Sequence, residues 1–178
     1  KKANPIAPDF VEEGEDYEVI EVTEGVRLFY TKNPVNDLFS LDMEFDFGRL
    51  ENEKLVAASL LLDLSGTKEL SPDELKQAWY AKGSDFSFGV GDHSSSVSIS
   101  GLDENFDETL SLMQEFVRNP VSSQEVLDTL KQIILKQRKD AKEDIQTLFL
   151  ALRNFNRYGD RSPFLTRMST DEIMALEV

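Results

Sequence analysis

The sequence has no cysteine and one histidine among its 178 residues. The first absence removes disulfides, thiolate zinc sites and cysteine nucleophiles together. It leaves the compartment open, because a chain without thiols suits oxidising and reducing surroundings alike, and both a periplasmic or cell-envelope and a cytoplasmic setting are compatible with it. The second leaves His93 without the three or four protein ligands that a zinc site uses. It lies in Gly91-Asp92-His93-Ser94, between two predicted strands, and reads as a turn residue. Positive charge is scarce too: 19 Lys and Arg stand against 34 Asp and Glu, a formal net charge of -15. Nucleic-acid binding draws on Lys and Arg displacing counterions, so no nucleic-acid partner is expected, and anionic lipid is disfavoured by the same sign. No apolar run approaches the roughly 18 to 20 residues that span a bilayer, so no membrane partner is expected either. The chain also lacks G-x-G-x-x-G, a Walker A loop and a G-x-S-x-G elbow, the local signatures of nucleotide binding and of a serine hydrolase.

What is present suits one α+β domain. A hydrophobic content of 40% over this length supports one substantial core. The opening KKANPIAPDF, with Pro5 and Pro8, reads as a boundary inside a longer protein. The acidic cluster Glu12, Glu13, Glu15 and Asp16 extends it into a linker over residues 1–16, with a single domain from 17 to 178. YEVIEV and VRLFYT flank Thr23-Glu24-Gly25 and predict a hairpin with Gly25 at positive φ. From Leu38 to Gly48, Phe39, Leu41, Met43, Phe45 and Phe47 alternate with polar residues, which predicts a strand with one core face in a mainly antiparallel sheet, helices covering that face alone. Asn52 to Ser65 reads as a centrally buried, uncharged helix stopped by Gly66. Ser71-Pro72-Asp73-Glu74 is a capping box opening a helix with Leu75, Ala78 and Trp79, closed by Gly83. Strands are expected around Phe86, Phe88 and Val90 and around Ser95, Val97 and Ile99. Phe106, Leu110, Met113 and Val117 form one helical stripe. Ser122 to Glu125 reads as a capping box for a long helix with Val126, Leu130, Ile133 and Ile134 inward, interrupted near Asp140 and followed by helix to Tyr158. Ser169 to Glu172 opens a last helix that the end of the chain cuts short.

The carboxylates have bland readings. Asp42, Glu44, Asp46, Gly48 and Glu53 imitate the alternation of a calcium loop, but Phe47 stands where the loop's glycine belongs and the segment patterns as a strand. A solvated or cross-strand-paired acidic face is expected there. Asp92, Asp103, Glu104, Asp107 and Glu108 fall near loops and helix starts, where the helix dipole favours negative charge and capping accounts for them.

The order of features resembles one repeat of the insulinase and pitrilysin family of zinc metallopeptidases, to which mitochondrial processing peptidases also belong. VRLFYTKNPVNDLFSLDMEFDFG looks like its opening strands and AASLLLDLSGT like its first core helix. ELSPDELKQAWYAKGSDFSFGVGDHSSSVSISGL is similar to the following helix and strand pair, ENFDETLSLMQEFVRNPVSSQEVLDTLKQIILKQ to two helices around Asn-Pro, and RYGDRSPFLTRMSTDEIMAL to the later loop and helix. The resemblance implies a two-layer metallohydrolase-like repeat with its C-terminal part truncated. Active repeats carry H-x-x-E-H on the first core helix. Counted back from Gly66-Thr67, those places fall on Ala57, Leu60 and Leu61, and the distal glutamate ligand falls near Gln137 or Arg138. The resemblance therefore implies no catalytic residue, metal or other cofactor in this chain, zinc in another domain of the parent protein, and ordinary core packing at the vacated positions.

On this reading the chain is a non-catalytic repeat, from the second half of a metalloendopeptidase, that helps enclose peptide substrate. Its partners are other repeats of the same polypeptide and the peptide, with self-association possible for the isolated chain. Two alternatives stand beside it: an inert scaffold or binding protein of the same fold, and an unrelated α+β enzyme with a carboxylate site.

Overall fold

The computed structural model describes residues 10–178. They divide into two compact units, one ending at Leu38 and the other running from Phe39 to Val178. Pro5, Pro8 and the start of the expected linker lie outside the described residues. The described part of that linker departs from an extended segment: Glu12 N–H donates to Asp16, Gly14 turns at φ 85°, and Glu13 bridges Tyr17.

In the first unit, strands β1 (Glu18–Thr23) and β2 (Val26–Tyr30) form the antiparallel hairpin that the Thr-Glu-Gly spacing predicted, with Gly25 at φ 79°. Asn33 then turns the chain at Pro34. Its side-chain Oδ1 accepts from Val35 N–H, while its side-chain Nδ2 donates to Asn36 Oδ1 and to the Leu38 backbone carbonyl.

The second unit is built on a three-stranded sheet in the order β3 (Leu38–Phe45), β5 (Ser95–Leu102), β4 (Asp85–Val90), with β4 and β5 antiparallel. On one face Val97 and Ile99 of β5 are buried against Leu75 and Trp79 of α2 (Pro72–Ala81) and Met113 and Phe116 of α3 (Phe106–Arg118). Trp79 stacks on Phe86 at 5.7 Å, and Phe86 meets Phe116 edge-on at 5.2 Å. The other face is polar, and on it Asp42 of the acidic alternation of β3 accepts from the Ser98 hydroxyl across the strands. Helices thus cover the apolar face, as the period of two implied. The match fails at the end of β3, where Phe45 and Phe47 are exposed because the strand stops at Phe45 before the Gly48 turn.

Helix α1 (Lys54–Leu62) lies against β4 and α4 (Gln124–Asp140), and α4 against α6 (Thr170–Met174), with α5 (Ile145–Tyr158) following α4 after the break expected near Asp140. Several local expectations are corrected here. In α1 only Ala57 is fully buried, and Val56 and Leu60 stay exposed, as does Leu64 just beyond the helix, because the elements beside it leave one flank uncovered. In α3 the inward residue of the last turn is Phe116, and Val117 points out; the stripe follows positions 106, 109, 113 and 116. The N-cap of α4 is Ser123, which accepts from Val126 N–H, and no reciprocal box forms at Ser122. Leu127, Leu130 and Lys131 are its buried residues, whereas Ile133 is exposed. Helix α6 has the expected capping box on Ser169 and Glu172 and runs to Met174. Asp103, Glu104, Asp107 and Glu108 do sit in first turns, but none caps through its side chain; Glu108 instead pairs with Lys82.

Candidate functional site

Gly66 does not stop α1, which ends at Leu62 with Asp63 as its cap. Its role is close approach. Gly66 exchanges two backbone hydrogen bonds with Val121, and a Cβ there would lie 2.3 Å from the Leu70 carbonyl oxygen. Thr67 Oγ1 accepts from Glu69 and Leu70 N–H, closing the turn. The Gly-Thr pair therefore ties the end of α1 to the segment leading into α4. At the other end, the Gly48 turn sits on the loop at residues 91–93: Arg49 and Leu50 N–H donate to the carbonyls of Gly91 and Asp92, and a Cβ on Gly48 would meet Asp92 at 2.6 Å. Arg49 Nε then pairs with Asp92 at 2.7 Å.

Between α1 and α4 these constraints leave a cavity of about 470 Å³, closed on its far side by the loop before α6 and by α6 itself. Its apolar wall comes from Val56, Ala57 and Leu60 of α1, Ile134 of α4, and Met168 and Ile173. Its polar groups are Arg49, Glu53, Gln137, Arg138 and Arg167. Arg138 donates to the Met168 carbonyl, which fixes it against the loop, and Arg167 lies over the Phe164 ring at 5.8 Å. Burial, and then the like charge of Arg167, hold the Arg138 guanidinium below its ordinary pKa, with Glu53 opposing the shift. Three arginines lining one site, in a chain of net charge -15, is the electrostatic peculiarity of the molecule.

Of the positions singled out by sequence, Ala57, Leu60, Gln137 and Arg138 all line this cavity, brought together from α1 and α4; Leu61 is half-buried and outside the lining. Of the three motif positions counted from the resemblance, Ala57 is buried as core and Leu61 half-buried, and only Leu60 departs from core packing. Leu60 remains 38% exposed, because the wall facing it across the cavity is arginine-rich and does not close on it. The donor set does not fit zinc: alkyl side chains offer no lone pair, and a guanidinium has no acceptor. Among the described residues no group of three or more His, Asp or Glu is placed to hold a metal. His93 is a turn residue, as its neighbours implied. It is largely exposed, and its Nδ1 lies 3.2 Å from Glu51 Oε1. Glu51 titrates below its ordinary value, chiefly because Gly48 N–H donates to it and secondarily because of His93. Arg49 and Arg167 are not visible as site residues in the sequence. They carry no local pattern and reach the cavity through the Gly48 turn and the loop before α6.

The fold defined by these elements is that of a peptidase M16 domain, the insulinase and pitrilysin architecture. The chain superposes on a peptidase M16 inactive domain from Pseudomonas fluorescens with a TM-score of 0.75 at 19% identity, over 91% of this chain and 41% of that one. It superposes on the periplasmic protease PqqL from Escherichia coli with a TM-score of 0.74 at 16% identity, over 98% of this chain and 20% of that one. The ferredoxin protease FusC, solved as a point mutant in complex with Arabidopsis ferredoxin, matches with a TM-score of 0.71 at 16% identity, over the whole of this chain and 21% of that one. The chain thus spans well under half the length of each. No protein-family model matches the sequence, and no curated protein matches it. The expected α+β fold, with antiparallel strands and packed helices, is the fold found.

Proposed function

We propose that this chain is a non-catalytic repeat of a zinc metalloendopeptidase of the insulinase and pitrilysin type, which helps enclose and bind peptide substrate while the zinc site lies in another repeat. The observation that carries the reading is the likeness of almost the whole chain to a peptidase M16 inactive domain, joined to a first core helix whose motif positions hold Ala57, Leu60 and Leu61. In this role the repeat supplies wall and surface. Strands β3 and β4 are the edges of its sheet, and an extended peptide can add to such an edge through backbone hydrogen bonds. The net charge of -15 steers basic segments toward the enclosure. Other repeats of the same polypeptide are its expected neighbours, and the apolar face of α5 gives the isolated chain a surface for self-association. Sedimentation over a wide concentration range checks the last point, and a monomer throughout would refute it.

The functional test is metal content and cleavage. The isolated chain, dialysed against zinc, should retain no stoichiometric metal and leave an unfolded polypeptide intact, whereas the longer protein should hold zinc and cleave. One equivalent of zinc on this chain alone would overturn the reading. A longer protein that neither holds zinc nor cleaves would replace it with an inert scaffold of the same fold.

A further inference from the structure

We infer that the cavity between α1, α4 and α6 is a binding site for a monocarboxylate carried on an apolar body, its carboxylate held by Arg138 and Arg167 and its apolar part lying against Ala57, Leu60 and Met168. Three observations converge on that ligand. The cavity's volume, about 470 Å³, lies inside the roughly 300 to 1,000 Å³ of small-ligand sites, and its lining combines an apolar wall with a few convergent polar groups, as such sites do. Its charge is unbalanced. Arg49 is neutralised by Asp92, but among the described residues neither Arg138 nor Arg167 has a carboxylate within ion-pairing distance, and Glu53 is the one acid in the lining. One cation therefore stays in excess, and a single carboxylate completes the set. A guanidinium fork matches a carboxylate with two parallel hydrogen bonds, and Arg138, already oriented by the Met168 carbonyl, loses little freedom in making them. Finally, Leu60 and Val56 stay exposed on a helix with no charged residue from Leu55 to Leu62, so the wall has apolar surface left to cover.

Two sources share this chemistry: the C-terminal end of a peptide with an apolar last residue, and a free fatty carboxylate. The inference rests on the cavity of this chain and stands whether or not the longer protein is a peptidase. Calorimetric titration of the 178-residue chain tests it with four probes: N-acetylated Ala-Ala-Leu with a free terminal carboxylate, the same peptide as the terminal amide, octanoate, and octanamide. At least one acid should bind, with its amide at least tenfold weaker, and Arg167→Gln should weaken that acid at least tenfold while leaving the amide unchanged and the melting temperature close to that of the parent chain. Binding of the peptide acid alone assigns the site to chain ends, and binding of octanoate alone assigns it to free fatty carboxylates. No binding by either acid, equal binding of acid and amide, or an Arg167→Gln variant with undiminished affinity would overturn the inference. Ala57→Phe, which fills the cavity, should abolish acid binding; undiminished binding in a folded Ala57→Phe chain would place the ligand elsewhere.

Discussion

Helices α3 and α5 are nearly equal in length, 13 and 14 residues, and both are amphipathic, yet the molecule uses them in opposite ways. Helix α3 buries Thr109, Met113 and Phe116 against the sheet. Helix α5 buries nothing completely, turns Thr147, Ala151 and Asn154 to its half-buried side, and leaves Phe149, Leu152 and Phe155 largely in solvent. An apolar stripe on a helix states that a face gains by being covered. It does not state what covers it. In α3 the cover is Val97, Ile99 and Phe86 of the same chain; in α5 nothing among the described residues serves.

The sharpest way to break this comparison is to truncate the same residue type in each helix. Phe116→Ala should cost about 3 to 5 kcal/mol of folding stability, the usual range for a buried aromatic, because Phe116 is 3% exposed and touches Phe86 edge-on. Denaturant unfolding followed by circular dichroism measures it. A loss below about 1 kcal/mol would mean that α3 is no better covered than α5. Removing the Ser71 cap of α2 by Ser71→Ala should cost about 1 kcal/mol, since Ser71 and Glu74 bond reciprocally there.

Acid should act on the same caps. Glu74 and Glu172 titrate below the ordinary 4.5 of a glutamate, Glu74 mainly through the Ser71 hydroxyl and Glu172 mainly through Ser169 N–H. A depressed folded-state pKa adds stability that is fully present above the unfolded value and is lost as pH falls through the folded one. The melting temperature should therefore drop as pH is lowered below about 4.5, and the double variant Glu74→Gln, Glu172→Gln should flatten that drop while being less stable at pH 7. The smallest effect belongs to α5: Phe149→Ser, at a position 64% exposed, should change the stability of the monomer by less than about 0.5 kcal/mol. A loss comparable to that of Phe116→Ala would show that α5 is covered within this chain after all.

The sheet and its helical cover are readable in the sequence for a physical reason. Period-two alternation in β3 and the capping boxes at Ser71 and Ser169 are local signals, satisfied within a few residues of where they are written. Phe116 and Val117 both fit a stripe of three and four, and the sheet residues that choose between them, Val97, Ile99 and Phe86, are not local to the helix. The burial of α1 is overstated by its sequence because a run without charge has no side marked for solvent, and only neighbours decide how much is covered. The cavity is half legible. Ala57, Leu60, Gln137 and Arg138 stand out through the family resemblance, but Arg49 and Arg167 arrive through turns whose ends are fixed by tertiary hydrogen bonds, Arg49 and Leu50 to the loop at 91–93 and Arg138 to Met168.

The most direct test of the account is to delete residues 39–178 from the longer protein that carries this repeat, then measure bound zinc and cleavage of an unfolded polypeptide side by side. The account predicts that zinc stays at its full stoichiometry while cleavage falls at least tenfold. Loss of zinc in a protein whose remaining repeats stay folded, or cleavage that proceeds undiminished, would contradict it.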